Sequence, residues 1–337
     1  MNDVQMVLGQ FGERAAAARL VGGLLDDLLI DANDDRPGPG AIFRATCDRP
    51  VKGQGGMFMK LGGGLTGFHR NARGLEPGQS LLVQVSGAAE AGKAVPVTDR
   101  VLFKSRYCIV TPGAPGVNVA RALKDEAERD RLLEIAHETL ADLPAAEGLG
   151  VILRSACDGA EAEAVAEDLA ATWDLAVKVL GDPGHEPELL LDAPDAHDLA
   201  WREWADAAPS DDWAGVLDQL DAFRRPEVSL GAATAFIERT RALVAVDVNT
   251  PEGGAGGLKA NLALVRELPR QLRLRGLGGQ IVLDLAPMPK RDRQTFEAAL
   301  RGAFKSDPVE TSFIGWTPLG HAELTRRRER RPLEELL

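Results

Sequence analysis

Two short apolar runs at 242–248 and 280–285 flank a stretch of helical spacing at about 258–274. That order predicts a βαβ unit, whose right-handed crossover sets the two strands side by side and parallel. A second helix at about 291–304 and a strand at about 309–315 are expected to extend the unit with another parallel neighbour. Pro269 removes a backbone hydrogen bond inside the first helix and is expected to kink it. Each of the first two runs carries an acid near its carboxyl end, Asp247 and Asp284. Open parallel sheets bind their ligands at that end.

Adjacent strands lie ~4.8 Å apart, so two carboxylates at matching heights can hold one divalent cation between them. Asn249 follows Asp247 by two residues and shares its face. Two carboxylates and an amide, with positions left open for water and phosphate, suit Mg²⁺. The chemistry would be activation of water and charge neutralisation at a phosphodiester. The plainer alternative is that each Asp only caps a loop or the next helix, and spacing does not choose between them. Gly253-Gly254-Ala255-Gly256-Gly257, followed by Lys259, also invites a phosphate-cradling reading, an NTPase. A P-loop needs Ser or Thr after its lysine, however, and this chain has Leu258-Lys259-Ala260.

The remaining 240 or so residues, at roughly 100–200 per domain, leave room for further domains. Pro37-Gly38-Pro39-Gly40 is a breaker cluster. Beyond it, from 41 to about 103, short apolar stretches (57–61, 81–85, 95–97, 101–103) alternate with Gly-rich turns, the spacing of a small antiparallel barrel. Residues 121–142 read as a helix and 148–153 as a buried strand. Residues 183–225 lack sustained periodicity and read as a loose connection with short helices.

With 45% hydrophobic and 27% charged residues the chain is globular in composition. No apolar run approaches the ~18 residues of a membrane span, and the first residues do not read as a secretory signal, so no membrane partner is expected and a cytoplasmic location is. Cys47, Cys108 and Cys157 show no CxxC spacing, which argues against a disulfide framework and a structural zinc. The net charge is −12, but residues 155–225 hold 18 Asp and Glu against four Lys and Arg, while 226–337 hold 17 Lys and Arg against 14 Asp and Glu. Basic clusters in that last stretch, Arg266–Arg275 among them and then Arg326–Arg331, either attract phosphate locally or form solvated faces.

The run 242–250, then Asn261-Leu262, Arg270-Gln271-Leu272-Arg273-Leu274-Arg275-Gly276-Leu277-Gly278-Gly279 and Ile281-Val282-Leu283-Asp284, resembles the catalytic core of the ribonuclease E/G family. Gly320-His321-Ala322-Glu323-Leu324-Thr325-Arg326-Arg327-Arg328 resembles that family's GL-x-E-(M/L)-(S/T)-R-x-R element. The resemblance implies a multidomain α/β protein. Residues 1–38 would be the opening hairpin of an RNase H-like subdomain, although pattern alone favours a helix around 19–25. Residues 39–104 would be an OB-fold RNA-binding domain, 105–193 a sensor of RNA 5′ ends, 194–225 a reduced RNase H-like or linker region, and 226–337 a DNase I-like catalytic domain with a parallel sheet.

It further implies a Mg²⁺-dependent endoribonuclease, with Mn²⁺ as a substitute, that cleaves single-stranded RNA by metal-activated water in RNA processing and decay. Asp247 and Asp284 would hold the metal and Asn249 would orient a carboxylate or the scissile phosphate. Phe58 and Phe68 would stack bases and Lys93 would track phosphate. Arg154 and Ser155 would bind a 5′-monophosphate. The chain departs from the family in two ways. The motif Asp-Phe-Ile-Asp-Met becomes Asp284-Leu285-Ala286-Pro287-Met288, losing its second acid, and no CxxC zinc link or small dimerisation domain follows the arginine tail, so no zinc is expected and the oligomeric state is open. The competing reading is a non-catalytic RNA-binding relative.

Overall fold

The computed structural model describes residues 3–51, 53, 55–251 and 256–337. The chain forms two compact units, one of Met1–Asn33 with Ala208–Leu337 and the other of Asp34–Ala207. The segment read as a loose connection, 183–225, is thus divided between them. No described helix is long and apolar enough to cross a membrane.

The first unit opens with three antiparallel strands, Val4–Phe11, Arg14–Val21 and Leu24–Ile30, with Ala208–Ser210 added in parallel at the Val4–Phe11 edge. Residues 19–25 are therefore a hairpin, not the helix that pattern favours. The reason is local. Gly22 and Gly23 have φ of 59° and 78° between the paired residues Val21 and Leu24, and a two-residue loop with both φ positive matches the twist of a hairpin.

In the second unit, Ile42–Val51, Gly56–Gly62, Leu65–His69, Val95–Thr98 and Ser80–Val85 pair in that order, and the last pairs back with the first. The result is a closed five-stranded barrel, consistent with an OB-fold, filled by side chains such as Phe43, Met57, Met59, Leu61, Val83 and Val97. It is not wholly antiparallel, because Leu65–His69 pairs in parallel with Val95–Thr98. Val101 and Phe103 leave the barrel for a second core. That core lies between a four-stranded sheet (Gly116–Val119, Leu149–Leu153, Cys108–Pro112, Phe103–Lys104) and the helices Glu126–Ala141 and Ala162–Leu180. The first helix starts later than periodicity suggests because Asp125 caps it, accepting from the backbone of Ala127 at 2.9 Å. All three cysteines are free and buried; burial pushes the Cys108 thiol up to about 11 and that of Cys157 up to about 12.

The rest of the first unit is a six-stranded sheet in the order Glu227–Ser229, Thr234–Arg239, Val244–Asn249, Gly279–Asp284, Ala322–Arg326, Thr311–Trp316. The βαβ unit is present: Val244–Asn249 and Gly279–Asp284 are parallel neighbours joined through the helix Gly257–Leu274, and Pro269 lies inside that helix without ending it. Ala260, Leu264, Val265, Leu268 and Leu272 put one apolar stripe of this helix onto Val246, Ile281 and Leu283. The expected third parallel neighbour is corrected. The helix Arg293–Lys305 leads to Thr311–Trp316, but Ala322–Arg326 returns antiparallel and takes the place beside Gly279–Asp284.

Several arginines of the basic clusters point inward. Arg273 meets Asp26 at 2.9 Å and also Asp307, whose side chain is fully buried and lies 3.0 Å from Arg326. Arg330 pairs with buried Asp27 at 2.9 Å. These groups are neither solvated faces nor a phosphate-binding surface. Burial alone would raise the Asp27 pKa, but the charge and hydrogen bonds of Arg330, together with Arg273, hold it below its ordinary value.

Removing one partner of a buried ion pair strands the other, so Asp307→Asn is expected to cost about 3–5 kcal/mol in urea unfolding. A carboxylate with a depressed native pKa stabilises above its unfolded pKa, and that stability is lost as pH falls through the native value. The unfolding midpoint is therefore expected to drop on acidification below the ordinary carboxylate range, and less so in Asp27→Asn.

Candidate functional site

Asp247 and Asp284 are register partners on adjacent parallel strands. Along the first strand Val244, Val246 and Val248 face the helix-covered core, so Asp247 and Asn249 project from the other face. Leu283 is buried and Asp284, its strand's last residue, is exposed on the same open face. Thus the two acids stand in one row at the carboxyl ends of the strands, with half-buried Phe236 opposite Asp247 on the third strand. Asn249 donates from Nδ2 to Asp247 Oδ2 at 2.7 Å, which orients that carboxylate.

Hard oxygen donors in one exposed row fit a divalent cation such as Mg²⁺ or Mn²⁺. Among the described residues no group of three or more His, Cys, Asp and Glu side chains forms a ready-made metal site. A cation would therefore rest on the paired acids and keep much of its water. Sequence reasoning quoted His321 only as part of a motif, yet its Nδ1 lies 3.2 Å from Asp284 Oδ1. The contact depends on the antiparallel return of Ala322–Arg326, which the strand expectations did not include.

The segment after Asp284 is tied down by Asn261, which is fully buried. Its side chain donates to Ala286 O at 2.9 Å and accepts from Ala286 N at 3.0 Å. Gly257, the first residue of the helix, is pressed against the same segment: a Cβ there would lie 1.9 Å from Pro287 O. This close approach gives Gly257 a packing reason. Gly253, Gly254 and Ala255, the rest of the phosphate-loop reading, lie outside the described residues.

In the second unit Phe58 and Phe68 are register partners on the outside of the barrel. Both are half-buried, between buried neighbours Met57, Met59, Gly67 and His69. Their ring centroids are 5.5 Å apart, and Arg49 sits 4.8 Å from the Phe58 centroid. Lys93 is exposed and pairs with Glu90 at 2.7 Å. Arg154 is committed internally, donating to Ser105 O and Arg202 O and pairing with Glu203 at 2.6 Å. Burial would raise the Glu203 pKa, but Arg154 and Arg202 together hold it below its ordinary value. Ser155 opens the short turn after the Leu149–Leu153 strand and is exposed.

A cavity in the first unit lies away from these acids, lined by Phe223, Glu267, Arg270 and Arg275 among others. Its arginines are engaged: Arg270 donates to Leu25 O and pairs with Glu267, and Arg275 donates to Gln271 and to Arg225 O. Burial brings the Arg275 pKa down to about 10.

A closed barrel with an aromatic outer pair, and a mixed sheet with two acids in register at the ends of parallel strands, define a multidomain α/β protein with an acidic sheet-end site. The chain belongs to the ribonuclease E/G family, whose pattern it matches over residues 103–211 and 202–329. It is similar to Ribonuclease G of Salmonella typhimurium (strain SL1344), 26% identical over 394 aligned residues that cover 95% of this chain and 79% of that protein. Ribonuclease G of Escherichia coli (strain K12) is 25% identical with the same coverage. Ribonuclease E of Nostoc sp. (strain PCC 7120) is 28% identical over 313 residues, covering 78% of this chain and 45% of that protein.

Asn261 satisfies a buried backbone donor and a buried acceptor at once, and Asn261→Ala leaves both without partners. The substitution is expected to cost about 2 kcal/mol or more in urea unfolding. Proteolysis should then cut first around 285–288, next to Asp284.

Proposed function

We propose that this chain is an endoribonuclease that cleaves single-stranded RNA in RNA processing and decay, assisted by a divalent cation, Mg²⁺ or Mn²⁺. Family membership supports the ribonuclease activity. The observation that carries the site is the in-register pair Asp247 and Asp284 on the open face of the sheet. In this reading the six-stranded sheet is the DNase I-like catalytic part and the N-terminal strands are the remnant of an RNase H-like subdomain. Asp247 and Asp284 would hold the cation, and Asn249, by donating to Asp247, would keep that carboxylate oriented. When bound, the cation supplies charge neutralisation at the phosphodiester and an activated water, leaving a 5′-phosphate and a 3′-hydroxyl.

The barrel binds the RNA. Phe58 and Phe68 offer a sequence-tolerant stacking surface, and Arg49 beside Phe58 adds a cation for the backbone. Lys93 contributes charge at the turn before the Val95–Thr98 strand. Arg154 and Ser155 take a 5′-terminal phosphate only weakly, because the Arg154 guanidinium is already paired with Glu203. A modest preference for 5′-monophosphate over 5′-hydroxyl RNA follows.

Asp247→Asn or Asp284→Asn is expected to abolish cleavage of a fluorescent oligoribonucleotide while RNA affinity, measured on the same preparations, changes little. Full activity in either variant would remove the acids from the reaction, and an inactive wild type with normal RNA binding would make the chain a binding relative.

Phe58→Ala and Phe68→Ala are each expected to weaken binding to single-stranded RNA by about 1–3 kcal/mol, on top of a steep salt dependence. Neither ring fills the barrel interior, so melting temperatures should stay near wild type. Normal binding with early melting would make the rings packing residues instead.

A further inference from the structure

We propose that His321 is a positioning residue that fixes the Asp284 carboxylate for the cation. This rests on the reading of Asp284 as a cation-holding acid and adds a residue to it. In the family's element, as this chain resembles it, the position is Leu; here it is an imidazole. Asp284 is 64% exposed at the end of its strand. His321 approaches from the turn that leads into the neighbouring antiparallel strand Ala322–Arg326, and its Nδ1 lies 3.2 Å from Asp284 Oδ1. With Nδ1–H donating to that oxygen, the carboxylate would be held in one orientation for a cation.

The turn that carries His321 is built to hold it. Thr317 N donates to His321 O at 2.9 Å, His321 N donates to Thr317 Oγ1 at 3.0 Å, and Gly320 N donates to Thr317 O at 3.0 Å. Trp316, just before the turn, is anchored three ways to the helix Arg293–Lys305. Its ring lies 5.9 Å from that of Phe296, Arg293 sits 4.2 Å from its centroid, and its Nε1 donates to Glu297 at 2.7 Å. A donor on a hydrogen-bonded turn therefore meets an exposed acceptor, an arrangement that can orient a metal-holding carboxylate. The His321 side chain is itself 30% exposed.

The test compares His321→Leu, His321→Asn and His321→Gln in the full chain. Mn²⁺ affinity is read by electron paramagnetic resonance of free Mn²⁺, kcat and KM on single-stranded RNA, and folding by circular dichroism. Asn can place its Nδ2–H where Nδ1–H stands, whereas Gln places its amide nearer the position of Nε2. His321→Leu and His321→Gln are expected to lower Mn²⁺ affinity and kcat roughly tenfold to a hundredfold with KM for RNA unchanged, and His321→Asn to recover most of the loss. Wild-type affinity and kcat in His321→Leu would overturn the proposal. So would a folded His321→Asn as impaired as His321→Gln. A change in the ratio of Mn²⁺ to Mg²⁺ affinity in every variant, Asn included, would make His321 a metal ligand and overturn the positioning role. Asp284→Asn separates the two levels: if it loses Mn²⁺ binding while His321→Leu does not, only the positioning role fails, and if it keeps Mn²⁺ binding, the cation site itself fails.

Discussion

The first unit depends on a buried set of guanidinium–carboxylate contacts. Arg273 at the end of the long helix meets Asp26 on the third N-terminal strand and Asp307 after the following helix, and Asp307 also meets Arg326 at the end of the central antiparallel strand. Arg330 reaches back to Asp27. Taking such charges out of water is costly, and an apolar core of equal volume would hold as firmly. What the network supplies is a fixed set of partners. It joins three N-terminal strands to a sheet that begins some two hundred residues later, and a slip of one residue in either strand would strand a charge. The burial cost is visible in Arg326, whose pKa is lowered by desolvation even with Asp307 beside it.

This network also explains why charge was the least readable property of the sequence. Arg273, Arg275, Arg326 and Arg330 look like surface clusters when counted along the chain, yet the first three are buried and Arg330 grips a buried aspartate. Counting charge locally assumes solvent, and burial violates that assumption, in Arg273 and Arg330 through partners more than two hundred residues away. The βαβ unit was readable for the opposite reason. Its strands, helix and apolar stripe are all local, and a right-handed crossover admits one arrangement, so Asp247 and Asp284 could be placed at the carboxyl ends of neighbouring parallel strands from the sequence.

Elements set by distant pairing were missed or misplaced. The strand Leu65–His69 is only half apolar and holds Gly67, and its parallel pairing with Val95–Thr98 closes the barrel across a long excursion. The insertion of Ala322–Arg326 beside Gly279–Asp284 follows a hairpin, not a crossover, and no crossover rule covers it. The helix Ala162–Leu180 did leave a signal, since Val165, Leu169, Trp173 and Ala176 recur at helical spacing.

The lost second acid of the Asp284 motif shows how the backbone has been adapted. At 286–287 the chain offers no charge; the Ala286 peptide is clamped by Asn261 and the Pro287 carbonyl packs against Gly257. Proline fixes its own φ and has no N–H to satisfy, so it suits a segment held by its carbonyls. The side chain that meets Asp284 comes instead from the turn before Ala322–Arg326, as His321. One carboxylate fewer lowers the negative field that attracts a cation, and it equally lowers the repulsion felt by an incoming phosphodiester. In the proposed cation site, two acids would depend more on how well each carboxylate is aimed than three would, and the contacts of Asn249 with Asp247 and of His321 with Asp284 are the ones that would do the aiming.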